Sequence, residues 1–307
     1  MPLTTSPIAR PARRLRPGAG ARVALLALMA AGLLGATQAA DPKSQANSPG
    51  DAGAGKTPAE PRGRILIFSK TAGFRHDSIP DGIACLRELL SNRYDVDASE
   101  DSSVFTEENL ARYKTVVFLS TTGDILNDAQ QRAFESFIRR GGGFAGVHAA
   151  ADTEHTWPWY GQLVGAYFKT HPEIQESLVR VEDRSHPSTV MLPGEWRRTD
   201  EWYVYTSNPR SRVRVLASLD ATTIKGVSMG EDHPIAWFHV FEGGRSWYTG
   251  GGHTKESFKE PLFRAHLEGG ILWAAGDAEI IEAPERGPEA APATPAPQTK
   301  PHAQQAP

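Results

Sequence analysis

The sequence predicts an α/β fold: a parallel sheet with helices on both faces, extended by additional antiparallel strands. Three observations carry this. From Arg64 to Val147, short β-rich runs alternate with segments whose apolar residues recur at helical spacing. The runs Ile65-Leu-Ile-Phe68 and Val116-Val-Phe-Leu119 are apolar at consecutive positions, as in strands covered on both sides. The runs end in polar, glycine-containing loops, where ligands of such sheets bind beyond the strand ends.

In order, residues 64–69 form the first strand, and 70–78 a polar loop. Ser78 is placed to cap a helix, with Pro80 and Asp81 in its first turn and Ile83, Leu86, Leu89 and Leu90 on its apolar face. Cys85, the only cysteine, falls in that pattern and reads as a buried, inert thiol with no intramolecular disulfide to make. Residues 94–98 alternate as a second strand, and Thr106 caps a short helix that turns Leu110 inward. Residues 114–120 make the third and most hydrophobic strand, ending in the turn Thr121-Thr-Gly-Asp124. Asn127 caps a helix whose stripe is Ala133, Phe134, Phe137 and Ile138. Arg139 and Arg140 sit at its negative end, and Gly141 to Gly143 stop it. Further on, residues 177–182, 189–192, 201–205, 213–218, 234–240 and 245–249 read as strands, and 256–274 as a closing helix.

The flanks have a different character. Arg10, Arg13, Arg14, Arg16 and Arg22 precede an apolar run from Val23 to Leu34 and small residues to Ala40, the order of a secretory signal peptide over 1–40. Residues 41–62 read as a disordered linker, 63–280 as one domain, and 281–307 as a disordered Pro/Ala-rich tail. The expectation is an exported chain, periplasmic or secreted, with no stable membrane span after processing. Without the five leader arginines the 33 basic residues become 28 against 36 acidic, near −8, and no Lys/Arg cluster appears. That argues against nucleic acid as a partner.

The chemistry centres on Gly146-Val-His-Ala-Ala150, a strand running into a tight turn of small residues. In α/β hydrolases such an elbow presents a nucleophile. Here it presents His148, so acyl transfer through serine or cysteine has no support. His76 follows the first strand, His148 the fourth, and His253 the run 245–249, so right-handed crossovers put all three on one sheet edge. Asp152 and His155 stand four and seven residues beyond His148. They would share a face with it if a helix begins there, or Asp152 simply caps that helix. The candidate catalytic groups are His148, His253, Glu201 and Asp152. Candidate substrate contacts are Arg75 and His76 in the first loop, Thr122 and Asp124 in the third, and the rings Trp157, Trp159, Tyr160, Trp202 and Tyr203, any one of which would equally serve as core packing. His171 and His233, each held extended by a following proline in a binding loop or at an irregular turn, complete that set. No phosphate-binding loop or dinucleotide fingerprint is present. A divalent metal, with His76, His148 and His155 as candidate ligands, is the one cofactor left open.

Gly73-Phe-Arg-His-Asp-Ser78, Thr121-Thr-Gly-Asp124, the run from Gly141 to Thr153, Trp157-Pro-Trp-Tyr160, Asp200-Glu-Trp-Tyr203, His233-Pro-Ile-Ala-Trp237 and Gly252-His-Thr254 stand in the order found in ThuA-like proteins. The chain resembles that trehalose-utilisation family from about Arg64 to Asp277. The resemblance implies a flavodoxin-like sheet similar to class I glutamine amidotransferases, and a role around disaccharides and their 3-keto derivatives. Amidotransferases carry a cysteine at the elbow, so His148 excludes that activity here. Two readings follow: a sugar or keto-sugar hydrolase, lyase or isomerase working by histidine acid/base chemistry, with or without a metal, and a non-catalytic carbohydrate-binding protein on the same scaffold.

Overall fold

A computed structural model describes residues 63–281. The leader, linker and tail expected from the sequence lie outside the described residues, except at the tail's first position.

Four strands run parallel, from the β2 edge inward: β1 (Gly63–Phe68), β2 (Tyr94–Ser99), β3 (Thr115–Leu119) and β4 (Gly143–Val147). A fifth parallel strand arrives late in the sequence, β11 (Gly244–Thr249), which pairs with β4. Beyond it the sheet turns antiparallel through β10 (Pro234–Phe241), β9 (Arg214–Leu219), β6 (Gln175–Val181) and β7 (Glu195–Asp200). The nine strands run β2-β1-β3-β4-β11-β10-β9-β6-β7, and β5 (Phe168–Thr170) pairs separately with β8 (Val204–Tyr205).

The central strands are fully covered. β3 and β4 are buried at every position, which is why their sequences do not alternate. One face carries α1 (Ile79–Leu90) and α5 (Pro261–Ala274), where Gly270 lets the helix close onto Trp247 of β11. The other face carries α3 (Asp128–Arg139) and α4 (Pro158–Val164). There Phe118, Phe134, Phe144 and Tyr160 pack ring on ring, for example Phe118 on Phe134 at 5.3 Å. A single turn, α2 (Glu107–Leu110), precedes β3. Among the described residues no helix is long and apolar enough to cross a membrane.

The predicted caps divide. Asn127 accepts from the amides of Ala129 and Gln130 in a full capping box, and Thr106 accepts from Asn109. Ser78 makes no cap bond, because its hydroxyl donates instead to Gly252 O, tying the β1 loop to the segment after β11. Residues 189–192 are a turn anchored by His186 O, which accepts from Thr189 and Val190, not a strand. Residues 201–203 leave the sheet as a loop and only Val204–Tyr205 pair, so the run 201–205 is not one strand. No α-helix starts at the elbow either: residues His148–Asp152 form one 3₁₀ turn.

Candidate functional site

Parallel strands deliver their loops to one edge, and backbone strain marks it. Ser120 at the end of β3 and His148 at the end of β4 take φ +48° and +51°, a left-handed conformation costly for any residue with a Cβ. At His148 the turn is fixed from two sides. Its carbonyl accepts from Tyr248 Oη at 2.9 Å, and its Nδ1 lies 2.9 Å from Gly250 O. A carbonyl only accepts, so Nδ1 carries the proton and Nε2 is left facing the edge.

Three further segments converge on that nitrogen. Glu201 Oε2 is 3.4 Å from His148 Nε2, and His253 Nδ1 is 3.2 Å from both. His76, from the loop after β1, packs edge-on against the two imidazoles with centroids at 4.8 and 5.0 Å. One donor atom from each of the four lies within 4.8 Å of the others. Glu201 Oε1 faces outward to His171 Nδ1 at 3.2 Å.

The frame behind this cluster is Asp200. Its buried carboxylate accepts from the amides of Glu201, Gly252 and His253 at 3.0, 2.8 and 3.1 Å, and from Ser257 Oγ at 3.0 Å. Arg198 supplies the countercharge at 2.9 Å and itself lies between the rings of Trp196, Trp202 and Phe263. Burial alone would raise the Asp200 carboxyl, but Arg198 and the converging amides hold it below the usual range.

Electrostatics within the cluster follow from crowding. Burial and the neighbouring imidazoles push His76 down to about 3, so it is neutral, and its Nδ1 is buried without a hydrogen-bond partner. Burial works to raise Glu201, but bonds and charge from His148 and His253 outweigh it and hold the carboxyl well below its ordinary value. Burial works to lower His253, yet Glu201 wins and raises it.

Above the cluster opens a cleft of about 340 Å³, in the size range of small-molecule sites. Its floor includes His76, Glu201 and His253, and Asp152 and His171 stand at its sides. Three rings complete the wall: Tyr203, Phe168 tilted against it with centroids at 4.2 Å, and Phe74, which is 67% exposed. A wider hollow of about 600 Å³ beside Glu182 and Arg214 holds no comparable convergence of histidines.

The other expected site residues have different surroundings. His155 pairs with Asp152 at 2.8 Å and stacks on Tyr167, away from the four-residue cluster. Trp157 and Tyr160 are buried against the α3 face, and Trp159 donates to Glu242. Trp202 is buried, with its indole donating to Gln175 O. His233 sits behind Tyr203, its Nε2 on that residue's carbonyl at 2.8 Å. Arg75 pairs with Glu100 in solvent, and Asp124 is exposed, 3.4 Å from the Thr156 hydroxyl. Thr122 braces the β1 loop by donating to Phe74 O at 2.9 Å. Sequence reasoning missed Phe74 and Phe168 as cleft walls. Phe74 was findable, as a large apolar residue in an otherwise polar loop. It also missed Glu154, buried at φ +54°, which accepts from the amides of Ile125 and Leu126 and holds the β3 loop.

Comparison with known proteins agrees with this architecture. A protein from Bacteroides uniformis ATCC 8492 described as ThuA-like superposes with TM-score 0.61 at 27% identity, covering 71% of this chain and 95% of its own. A second, from Parabacteroides merdae ATCC 43184, gives 0.59 at 21%, covering 74% and 94%. No curated protein matches. The profile of the family described as ThuA, trehalose utilisation, matches residues 64–274, and the chain belongs to that family.

Proposed function

We propose that the protein is an exported enzyme of carbohydrate metabolism that takes a glycoside or a 3-keto-disaccharide into the cleft and moves protons on it with histidine. The observation that carries the reading is the meeting of His148 Nε2, Glu201 Oε2 and His253 Nδ1 within 3.2–3.4 Å on the floor of an aromatic-walled cleft. Sugar binding alone asks for rings and amides; a packed nest of titratable groups suits chemistry. Family membership supports the substrate class, and the leader-like first 40 residues support export.

The geometry divides the labour. His148 is fully buried and its Nδ1 is committed to Gly250 O, so it serves the floor of the site. His171 is the better base. Its Nδ1 faces Pro172 O at 2.9 Å and Glu201 Oε1 at 3.2 Å, both acceptors, which leaves Nε2 as the basic nitrogen. A carboxylate that fixes the tautomer of a working histidine is the arrangement general-base catalysis uses. His171 Nε2 would take the proton from the carbon beside the keto group, and His253, whose protonated form Glu201 favours, would hold the oxygen where negative charge develops. Asp152 would hold a sugar hydroxyl at the cleft side, and Tyr203 and Phe168 would take the ring's C–H face.

The test is a panel of disaccharides and 3-keto-disaccharides, with products followed by NMR for the native chain and His171→Ala. Turnover by the native chain that falls at least a hundredfold in the variant, with its circular dichroism unchanged, is the expected result. Saturable sugar binding with no product from any member would leave a binding protein instead.

A further inference from the structure

We infer that His76, His148, Glu201 and His253 form a binding site for one divalent transition-metal ion, held by three imidazoles and one carboxylate with an open side toward the cleft.

Spacing is the first argument. Ligand atoms about 2.0–2.2 Å from a four-coordinate ion stand about 3.3–3.6 Å apart, and adjacent ligands of a six-coordinate ion about 3.0 Å. The three contacts among His148 Nε2, Glu201 Oε2 and His253 Nδ1 are 3.2, 3.2 and 3.4 Å, inside that interval. His76 offers its nitrogen within 4.8 Å of all three, and a small ring movement brings it into the shell.

Proton accounting is the second. With its proton on Nδ1 toward Gly250 O, His148 turns a lone pair toward Glu201 Oε2, which has only lone pairs to offer. In that tautomer the two stand 3.4 Å apart in a buried place and are reconciled only by a cation between them, a proton on Nε2 or a metal ion. His76 adds a third unmet acceptor or donor, since its Nδ1 is buried with no partner, although the residue is only 4% exposed.

The surroundings are those of a metal centre. A ligating histidine usually donates its other N–H to a carbonyl or carboxylate, as His148 does to Gly250 O. Asp200 fixes the backbone of two ligands at once, Glu201 and His253. Three nitrogens with one oxygen favour zinc, iron, manganese or cobalt over magnesium or calcium, which prefer all-oxygen shells. Only the cleft side of the cluster is open, so an oxygen of a polyol or keto-sugar completes the coordination there. The ion site stands on the four side chains alone, whatever the cleft accepts.

Tag-free chain, stripped with chelator, is titrated with Zn²⁺, Mn²⁺ and Co²⁺ by calorimetry, and the Co²⁺ form is followed by visible absorption. One ion per chain is expected, with Co²⁺ bands of nitrogen/oxygen ligation. Glu201→Gln and His253→Ala, checked for fold by circular dichroism, should each lose more than about tenfold in affinity. His155→Ala, a histidine outside the cluster, should bind as the native chain does. Folded chain that takes up none of the three ions, or takes them up equally well in both ligand variants, overturns the site. Ion uptake without sugar turnover would count against the proposed function alone, and sugar turnover by folded chain that takes up none of the three ions would count against the ion alone.

Discussion

The carboxylate of Asp200 holds the backbone of His253, accepting its amide at 3.1 Å across 53 residues of sequence. It also accepts the amide of Glu201, so one buried side chain sets the distance between two members of the cluster. Asp200→Ala leaves Arg198, 3% exposed at its side chain, short of its buried countercharge and frees three amides. Removing one partner of a buried pair costs about 3–5 kcal/mol. Chemical denaturation should show a loss in that range, along with loss of any ligand binding at the cleft.

Gly252 stands at φ +113° between that carboxylate and His253, and a Cβ there would meet Val147 Cγ1 at 3.1 Å. Gly252→Ala should destabilise by about 1–3 kcal/mol through backbone strain alone. Thermal melts measure it. A variant as stable as the native chain would mean the loop relaxes freely and His253 is not held where it is.

The molecule should weaken in mild acid through histidines that do not line the cleft. Burial pushes His266 down to about 4, and burial with the nearby His266 pushes His186 down to about 3. Both stay neutral in the fold but protonate near pH 6.5 in the unfolded chain. Below pH 6.5 the unfolded state therefore binds more protons, and stability falls with pH until about pH 4 for His266 and about 3 for His186. Each contributes a slope of at most about 1.4 kcal/mol per pH unit. Denaturant melts between pH 7 and 4 should show the fall, and His266→Asn should remove its share of the slope.

Phe74 is exposed yet pinned, its carbonyl accepting from Thr122 Oγ1 and its ring edge-on to His76 at 4.9 Å. Phe74→Ala should leave stability within about 0.5 kcal/mol. It should weaken a sugar ligand by about two- to tenfold, the worth of one stacked ring. Paired melting and calorimetry separate the two effects, and Phe74→Trp should restore binding.

Much of the fold was legible because its parallel half obeys local rules. β1, β3 and β4 are apolar runs, β2 alternates, and Asn127 and Thr106 cap as their positions predict. The antiparallel half was less legible. Residues 201–203 carry two aromatic side chains suited to a strand, but Asp200 accepts the amide of Glu201 at the site and Trp202 is buried in the core. Ser78 failed as a cap because a partner 174 residues away claimed its hydroxyl. In the site, His76, His148 and His253 could be placed together since all follow parallel strands, whose ends share an edge. The rings at 157–160 could not be sorted from sequence, because aromatics that cover a sheet and aromatics that cover a sugar have the same composition. Tertiary packing on Phe118 and Phe134 decided for the core.

The central claim, that the cleft does chemistry on a sugar, is tested most directly by proton exchange. A 3-keto-disaccharide is incubated with the chain in deuterated water, and the hydrogen on the carbon beside the carbonyl is followed by NMR. The account predicts deuterium entering at that carbon far faster than without protein, and at the uncatalysed rate with His171→Ala. Exchange at the uncatalysed rate with folded, sugar-binding native chain would contradict it.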